Sequence, residues 1–156
     1  MQYFDRAAAL QPQSSNIKQR QAQVHLGLGQ KDQAVLELEQ AVKLGEKSGQ
    51  ADIALIMLFI NHKEFAKAQQ WLDQLEKKLP NNPVTSNLSG LAYIGQNDRA
   101  SARKAFEKAL SIQPDFFRAA TNLAKLDLAE GKPDLARKRF ESVLEKDGKN
   151  IQAMMA

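Results

Sequence analysis

The sequence predicts an all-α protein, a right-handed α–α superhelix of four complete helix–turn–helix repeats with partial repeats at both ends. Three observations predict it. The segment "AFEKALSIQPD" (105–115) resembles "YFDRAAALQPQ" (3–13) and, more loosely, "RFESVLEKDGK" (139–149). Phe106 and Phe140 stand 34 residues apart, and that period divides the chain without insertion into 15–48, 49–82, 83–116 and 117–150. Small and large apolar residues recur at fixed places in the blocks, and a period of this length is the signature of stacked supersecondary units.

Each block reads as two amphipathic helices of about 13 residues joined by a tight turn. The twentieth place holds Ala34, Ala68, Ala102 and Ala136, and the twenty-seventh holds Ala41, Leu75, Ala109 and Val143. The twenty-fourth place holds Leu38, Leu72, Phe106 and Phe140. Small residues let two helices approach, and a large apolar neighbour fills the gap beside them. The eighth place is small in Ala22, Gly90 and Ala124, and Ile56 departs from it. The turns fall at Gly29, Lys63, Asn97 and Gly131. Gly and Asn suit a left-handed turn residue, whereas Lys63 fits poorly. Pro133 falls in a first helical turn, where a missing N–H costs nothing, and Pro80 and Pro114 fall between blocks, where helices end. Residues 1–14 fit the second helix of a preceding unit, with Phe4, Ala7 and Pro12 in register, and 151–156 begin another. Neither end carries the polar cap that usually closes such an array, so a piece of a longer array is expected.

Composition narrows the function classes. The chain has 156 residues, no cysteine and a formal charge of +4, from 22 Lys+Arg against 18 Asp+Glu. Disulfides and thiolate metal sites are excluded, and the basic bias is too mild to point to nucleic acid. The apolar run Ile53–Ile60 is far short of the ~20 residues that span a bilayer. "MQYFDRAAALQPQ" has neither the basic start nor the apolar middle of a signal peptide.

The period, the small residues at the eighth, twentieth and twenty-seventh places and the late proline together resemble the tetratricopeptide repeat over 15–150. More particular phrases, "NLSGLAY", "FFRAATNLAKLDLAEGKPDLARKRF" and "KNIQA", with "ADIALIMLFINHKEF" before them, are similar to one family. That family is the large tetratricopeptide-repeat lipoprotein of the bacterial PEP-CTERM/exosortase protein-sorting system. The resemblance implies a periplasmic or envelope protein, lipid-anchored through a residue outside these 156, and associated with exopolysaccharide and protein-sorting loci.

Within the repeat frame the apolar run becomes a helix. Leu55, Ile56 and Phe59 take core places, while Ile53, Met57 and Ile60 form a stripe at i, i+4 and i+7. In tetratricopeptide arrays that stripe lines the concave groove. The corresponding places in later blocks hold Asn87, Leu91 and Ile94, then Thr121, Lys125 and Leu128. The expected groove is therefore Ile53, Met57, Ile60, Leu91, Ile94 and Leu128, rimmed by Asn61, Asn87, Thr121, Asn122 and Lys125. An apolar patch with a polar rim fits a protein or peptide partner, and Met57 would help it adapt. Two other readings stand beside it: the stripe packs on itself in an architectural or self-associating spacer, or it meets further repeats. The last helix is expected to expose Phe140, Val143 and Leu144 for such end-to-end association.

Nothing in the sequence points to catalysis, a cofactor or a metal. His25 occupies the eleventh place, normally an aromatic core position, and His62 lies at a turn. The places that would carry a Lys/Asn clamp for chaperone tails hold Gln19, Gln23, Ala54, Val84 and Leu88. Arg103, Lys104, Lys108, Arg137, Lys138 and Arg139 form a basic stripe interleaved with Glu107, Glu141 and Glu145, which reads as a solvated helix face or, less simply, as a contact for anionic polymers.

Overall fold

The structure, a computed structural model, describes residues 14–45 and 47–146. The described residues are all-α, and eight helices among them pair in sequence as helix–turn–helix units. The second helix expected over 1–14 lies, but for Ser14, outside the described residues, as does the start of a further repeat at 151–156. The chain divides after Lys78 into two compact units.

The first unit contains α1 (Ser15–Gly27), α2 (Lys31–Lys43), α3 (Gln50–Asn61) and α4 (Phe65–Lys78). The second contains α5 (Pro83–Gly95), α6 (Arg99–Ile112), α7 (Phe117–Ala129) and α8 (Pro133–Lys146). The turns inside the four pairs are built alike. Gly29, Lys63, Asn97 and Gly131 take left-handed φ of 73°, 60°, 66° and 72°. Each donates its N–H three residues back, at 3.0 Å, to Leu26, Ile60, Ile94 and Leu128. The following residue donates five residues back: Gln30 to His25, Glu64 to Phe59, Asp98 to Tyr93 and Lys132 to Asp127. This is a Schellman closure, which satisfies the last helical carbonyls and turns the chain back on itself.

Lys63 therefore pays a steric penalty that glycine avoids, of about 1–2 kcal/mol. Lys63→Gly should raise the melting temperature by about 2–4 °C once the extra unfolded-state entropy of glycine is subtracted. Thermal unfolding followed by circular dichroism checks this, and a lowered midpoint would contradict it.

In the first unit the core is Ala22, Ala34, Leu38, Ala41, Ala51, Leu55, Ile56, Leu58, Phe59, Ala68, Leu72 and Leu75. The apolar run lies on α3 as expected, because four of its side chains are buried while Met57 stays exposed. Ile56, at the place where other units carry Ala or Gly, is fully buried. Helices α3 and α4 accordingly make the sparsest contact of the four pairs, since a branched side chain between them keeps their backbones apart. Asp52 is buried on α3 and accepts from Lys78 Nζ at 2.6 Å.

Glu64 closes the α3–α4 turn electrostatically. One carboxylate oxygen accepts from Lys31 and the other meets Lys67 Nζ at 2.6 Å. The hydrogen bond from Lys31, then that from Lys67, hold its pKa near about 2 against partial desolvation, down from 4.5. A depressed carboxyl stabilises the fold above its unfolded pKa and ceases to do so as pH falls through the folded one. The stability gap between wild type and Glu64→Gln should therefore be constant above about pH 5 and close between about 4.5 and 2. Urea titrations at several pH values measure it; a gap unchanged at the acid end would contradict the pairing.

The second unit packs Ala102, Phe106, Ala109, Ala119, Leu123 and Leu126 into one core, flanked by Leu91, Tyr93, Leu110 and Phe116. Gly90 makes this core possible. A Cβ there would lie 2.3 Å from Phe106 Cε1, so only a bare backbone admits the ring. A smaller cluster joins Ala120 and Val143 with Leu110, Phe117 and Leu144. Phe140 meets Phe117 with ring centroids 6.0 Å apart. The expectation that α8 exposes Val143 is thus corrected: the side chain is 1% accessible, because α7 covers it through Ala120.

Candidate functional site

The site is built from α5 upward. Pro83 opens that helix at its first turn, and the Asn82 side chain caps it, accepting from Val84 N at 2.8 Å. One and two turns beyond the cap the helix presents Asn87 and Leu91, and near its end Ile94. Gly90 lets the Phe106 ring approach the helix closely, and this ring floors a cleft of ≈ 380 Å³. Leu91 and Ile94 of α5 form one wall. Asn122, Lys125, Leu126 and Ala129 of α7 form the other, and Asn97 and Arg99 close the end at the α5–α6 turn. A concave, largely apolar slot with a few converging polar groups is the usual form of a ligand site.

Four of the expected groove residues therefore meet in one place: Leu91, Ile94, Asn122 and Lys125. Ile94 is 39% exposed and available, whereas Leu91 is half-buried against the core. Leu128 lies on α7 at 57% exposure, outside the cleft lining. Asn87, expected on a polar rim, is instead buried, and its Oδ1 accepts from Asn122 Nδ2 at 2.9 Å. That bond orients the Asn122 amide at the cleft wall. Thr121 is half-buried, with its hydroxyl oxygen inaccessible and unpartnered. The remaining expected residues belong to the first unit. Met57 is 43% exposed on α3, Ile53 and Ile60 are half-buried beside it, and Asn61 is exposed. The first unit has its own cleft, of ≈ 550 Å³, lined by Asn16, Gln19, Arg20, Gln23, Val24 and Gln50. Its lining is amide-rich and offers little apolar anchorage.

The charges around the second-unit cleft are unevenly matched. Behind it, Asp127 is wholly buried on α7, accepting from Arg103 Nη1 at 2.7 Å on one oxygen and from Arg139 Nε on the other. Arg103 also reaches Glu130 at 3.0 Å, and Lys132 meets Glu130 at 2.7 Å. Desolvation would raise the Asp127 pKa, but the hydrogen bonds from Arg139 and Arg103 outweigh it and hold the carboxyl below its ordinary value. The expected solvated basic stripe is corrected here: Arg103 and Arg139 are drawn inward by this carboxylate, while Lys104, Lys108, Arg137 and Lys138 are exposed. The signal was present at the eleventh place, where Phe59 and Tyr93 stand in the preceding blocks and Asp127 in the last. An acid at a core place implies buried cations facing it. His25, at the same place in the first block, is half-buried, with Nδ1 2.7 Å from Gln30 Oε1.

Among the described residues no group of three or more His, Asp or Glu is placed to hold a metal ion. None of their helices is long and apolar enough to cross a membrane.

Comparison with known proteins places this arrangement. The BBSome complex member BBS4 of Bos taurus is 29% identical over 159 residues, covering 100% of this chain and 30% of its own length. The chain spans less than a third of the curated relatives it matches. Among solved structures, TTC0263, a thermophilic TPR protein of Thermus thermophilus, superposes with a TM-score of 0.78 at 21% identity, covering 97% of this chain and 84% of that one. PilW, a widely conserved type IV pilus biogenesis factor, gives 0.72 at 17% identity, covering 91% and 66%. At these identities the superpositions show a shared fold. Two family models, both described as tetratricopeptide repeat, match residues 20–83 and 93–156. With the repeated turns and helix pairs, these matches show that the chain belongs to the tetratricopeptide-repeat family.

Proposed function

We propose that this chain is a non-catalytic scaffold segment that binds a protein or peptide, with the cleft between α5 and α7 as its principal contact. The observation that carries this reading is an apolar slot left open by a protein that otherwise fills its core. Ile94 stays 39% exposed at the wall while Phe106 is sealed beneath. Within the second unit, Thr121 and the exposed Leu128 extend the proposed contact along α7, while Asn87 supports it from beneath by holding Asn122; in the first unit, Ile53, Met57, Ile60 and Asn61 of α3 are a separate proposed contact. We place the whole protein in a cell-envelope assembly linked to exopolysaccharide export or PEP-CTERM protein sorting, anchored by lipid outside these residues, with these repeats part of a longer array. Supporting this are the sequence resemblance and a structural neighbour described as a pilus biogenesis factor. A curated relative is described as a member of a complex, which favours assembly work over catalysis.

The competing reading is an architectural or self-associating spacer with an unoccupied cleft. Exposed residues separate the two, since their loss should not disturb packing: Ile94→Ser and Met57→Ser in the protein as its cells make it. Under the proposal, cross-linked partners fall several-fold while the melting temperature stays within about 2 °C of wild type. Unchanged cross-linking with both variants, or a change in sedimentation alone, would favour the spacer. Leu91→Ser is not a clean probe, because that side chain also packs on the core.

A further inference from the structure

Resting on the reading of this cleft as a peptide site, we propose that its ligand is a short acidic amphipathic segment, with an apolar side chain seated between α5 and α7 and a carboxylate beside it. Two cations line the slot, Arg99 at the start of α6 and Lys125 on α7, and no acidic residue does. Both are exposed, and neither has an ion-pair partner among the described residues. Their neighbours differ: Arg103, Arg139 and Lys132 are all matched by Asp127 and Glu130. Asp98, the acid next to Arg99 in sequence, is occupied in capping α6, where it accepts from Ser101 N at 3.0 Å. Asp98 keeps its negative charge but directs it at the α6 N-terminus, so the lining itself carries two cations and no anion.

Charge complementarity then selects the partner. A basic segment would bring like charges together, and an uncharged one would cover two cations without replacing their water. A segment pairing an apolar anchor with Asp or Glu satisfies both the wall of Leu91, Ile94 and Leu126 and the two cations. The volume of ≈ 380 Å³ suits one or two side chains, so the determinant is short.

The test is selection of a randomised heptapeptide library, displayed on phage, against the intact chain. Enriched sequences should pair a leucine, isoleucine, methionine or phenylalanine with aspartate or glutamate. Synthetic end-blocked copies should bind at least about tenfold more weakly to the Arg99→Glu/Lys125→Glu variant, and more weakly as salt rises. Both positions are exposed, and an unchanged far-ultraviolet circular dichroism spectrum confirms that the variant is folded. Apolar enrichment without an acidic bias, or affinity untouched in the double variant, overturns the charge inference while leaving the cleft as a peptide site. No enrichment of any peptide overturns both.

Discussion

Replacing Gly90 with alanine should remove about 2–3 kcal/mol of stability, although alanine is the better helix former by about 0.5–1 kcal/mol. The new Cβ would stand 2.3, 2.5 and 2.7 Å from three carbons of the Phe106 ring, all far inside van der Waals contact. The ring is completely buried against Ala102, Ala109 and Leu123, so it can yield only by moving toward the slot, away from that packing. Close-packed interiors answer such an insertion by shifting helices rather than by compressing. The expected loss in melting temperature is about 5–12 °C. Phe106→Leu should relieve the clash, since Ala22 with Leu38 and Ile56 with Leu72 occupy the same pair of places in other units. A double-mutant cycle measures this. The double variant should be clearly more stable than the sum of the single losses, and strict additivity would show that Gly90 and Phe106 do not oppose each other.

Asp127→Asn should be comparably damaging. The substitution keeps the shape but leaves two guanidinium groups facing a neutral amide whose NH2 can only repel their donors. Breaking a buried pair from one side costs about 3–5 kcal/mol, and the partial exposure of both arginines places the expectation near the lower end, about 3 kcal/mol. The acid response supplies an independent check. The Asp127 carboxyl titrates below its unfolded value of 3.8, so it stabilises the fold above that pH and the benefit disappears as pH falls through the depressed folded value. The gap between wild type and Asp127→Asn should thus be constant above about pH 3.8 and shrink as pH falls below it. Equal stability of the two proteins at neutral pH would show that the cluster contributes nothing.

The helix pairs were legible because periodicity carries them. Ala34, Ala68, Ala102 and Ala136 recur in step, and the Schellman turns at Gly29, Lys63, Asn97 and Gly131 sit where the frame expects them. Lys63 looked ill suited and nevertheless takes φ of 60°, so position in the repeat overrode local preference. The exception at Ile56 was legible too, and its consequence is a looser α3–α4 pair. The cleft was only half legible. Helical stripes found Leu91, Ile94 and Lys125, which project from their helices at regular intervals. The floor was not found, because Gly90 and Phe106 act on each other across two helices and a stripe records one helix at a time. The same blindness hid Asp127. Counting charges along α6 and α8 gave a basic face, while the carboxylate that turns Arg103 and Arg139 inward lies on α7 between them in sequence. Asn87 failed for the opposite reason: an amide in a predicted groove looks exposed until Asn122, 35 residues later, supplies its donor.

The slot above Phe106 is the proposed place where a partner is held. Methyl and side-chain amide NMR on the intact chain, titrated with an end-blocked peptide selected against it, tests that directly. The predicted result is that the methyl groups of Leu91, Ile94 and Leu126 and the side-chain amide of Asn122 shift together and saturably. Stationary signals at those residues, with shifts instead at Leu110, Leu135 and Val143 in the separate cleft between α6 and α8, would contradict it.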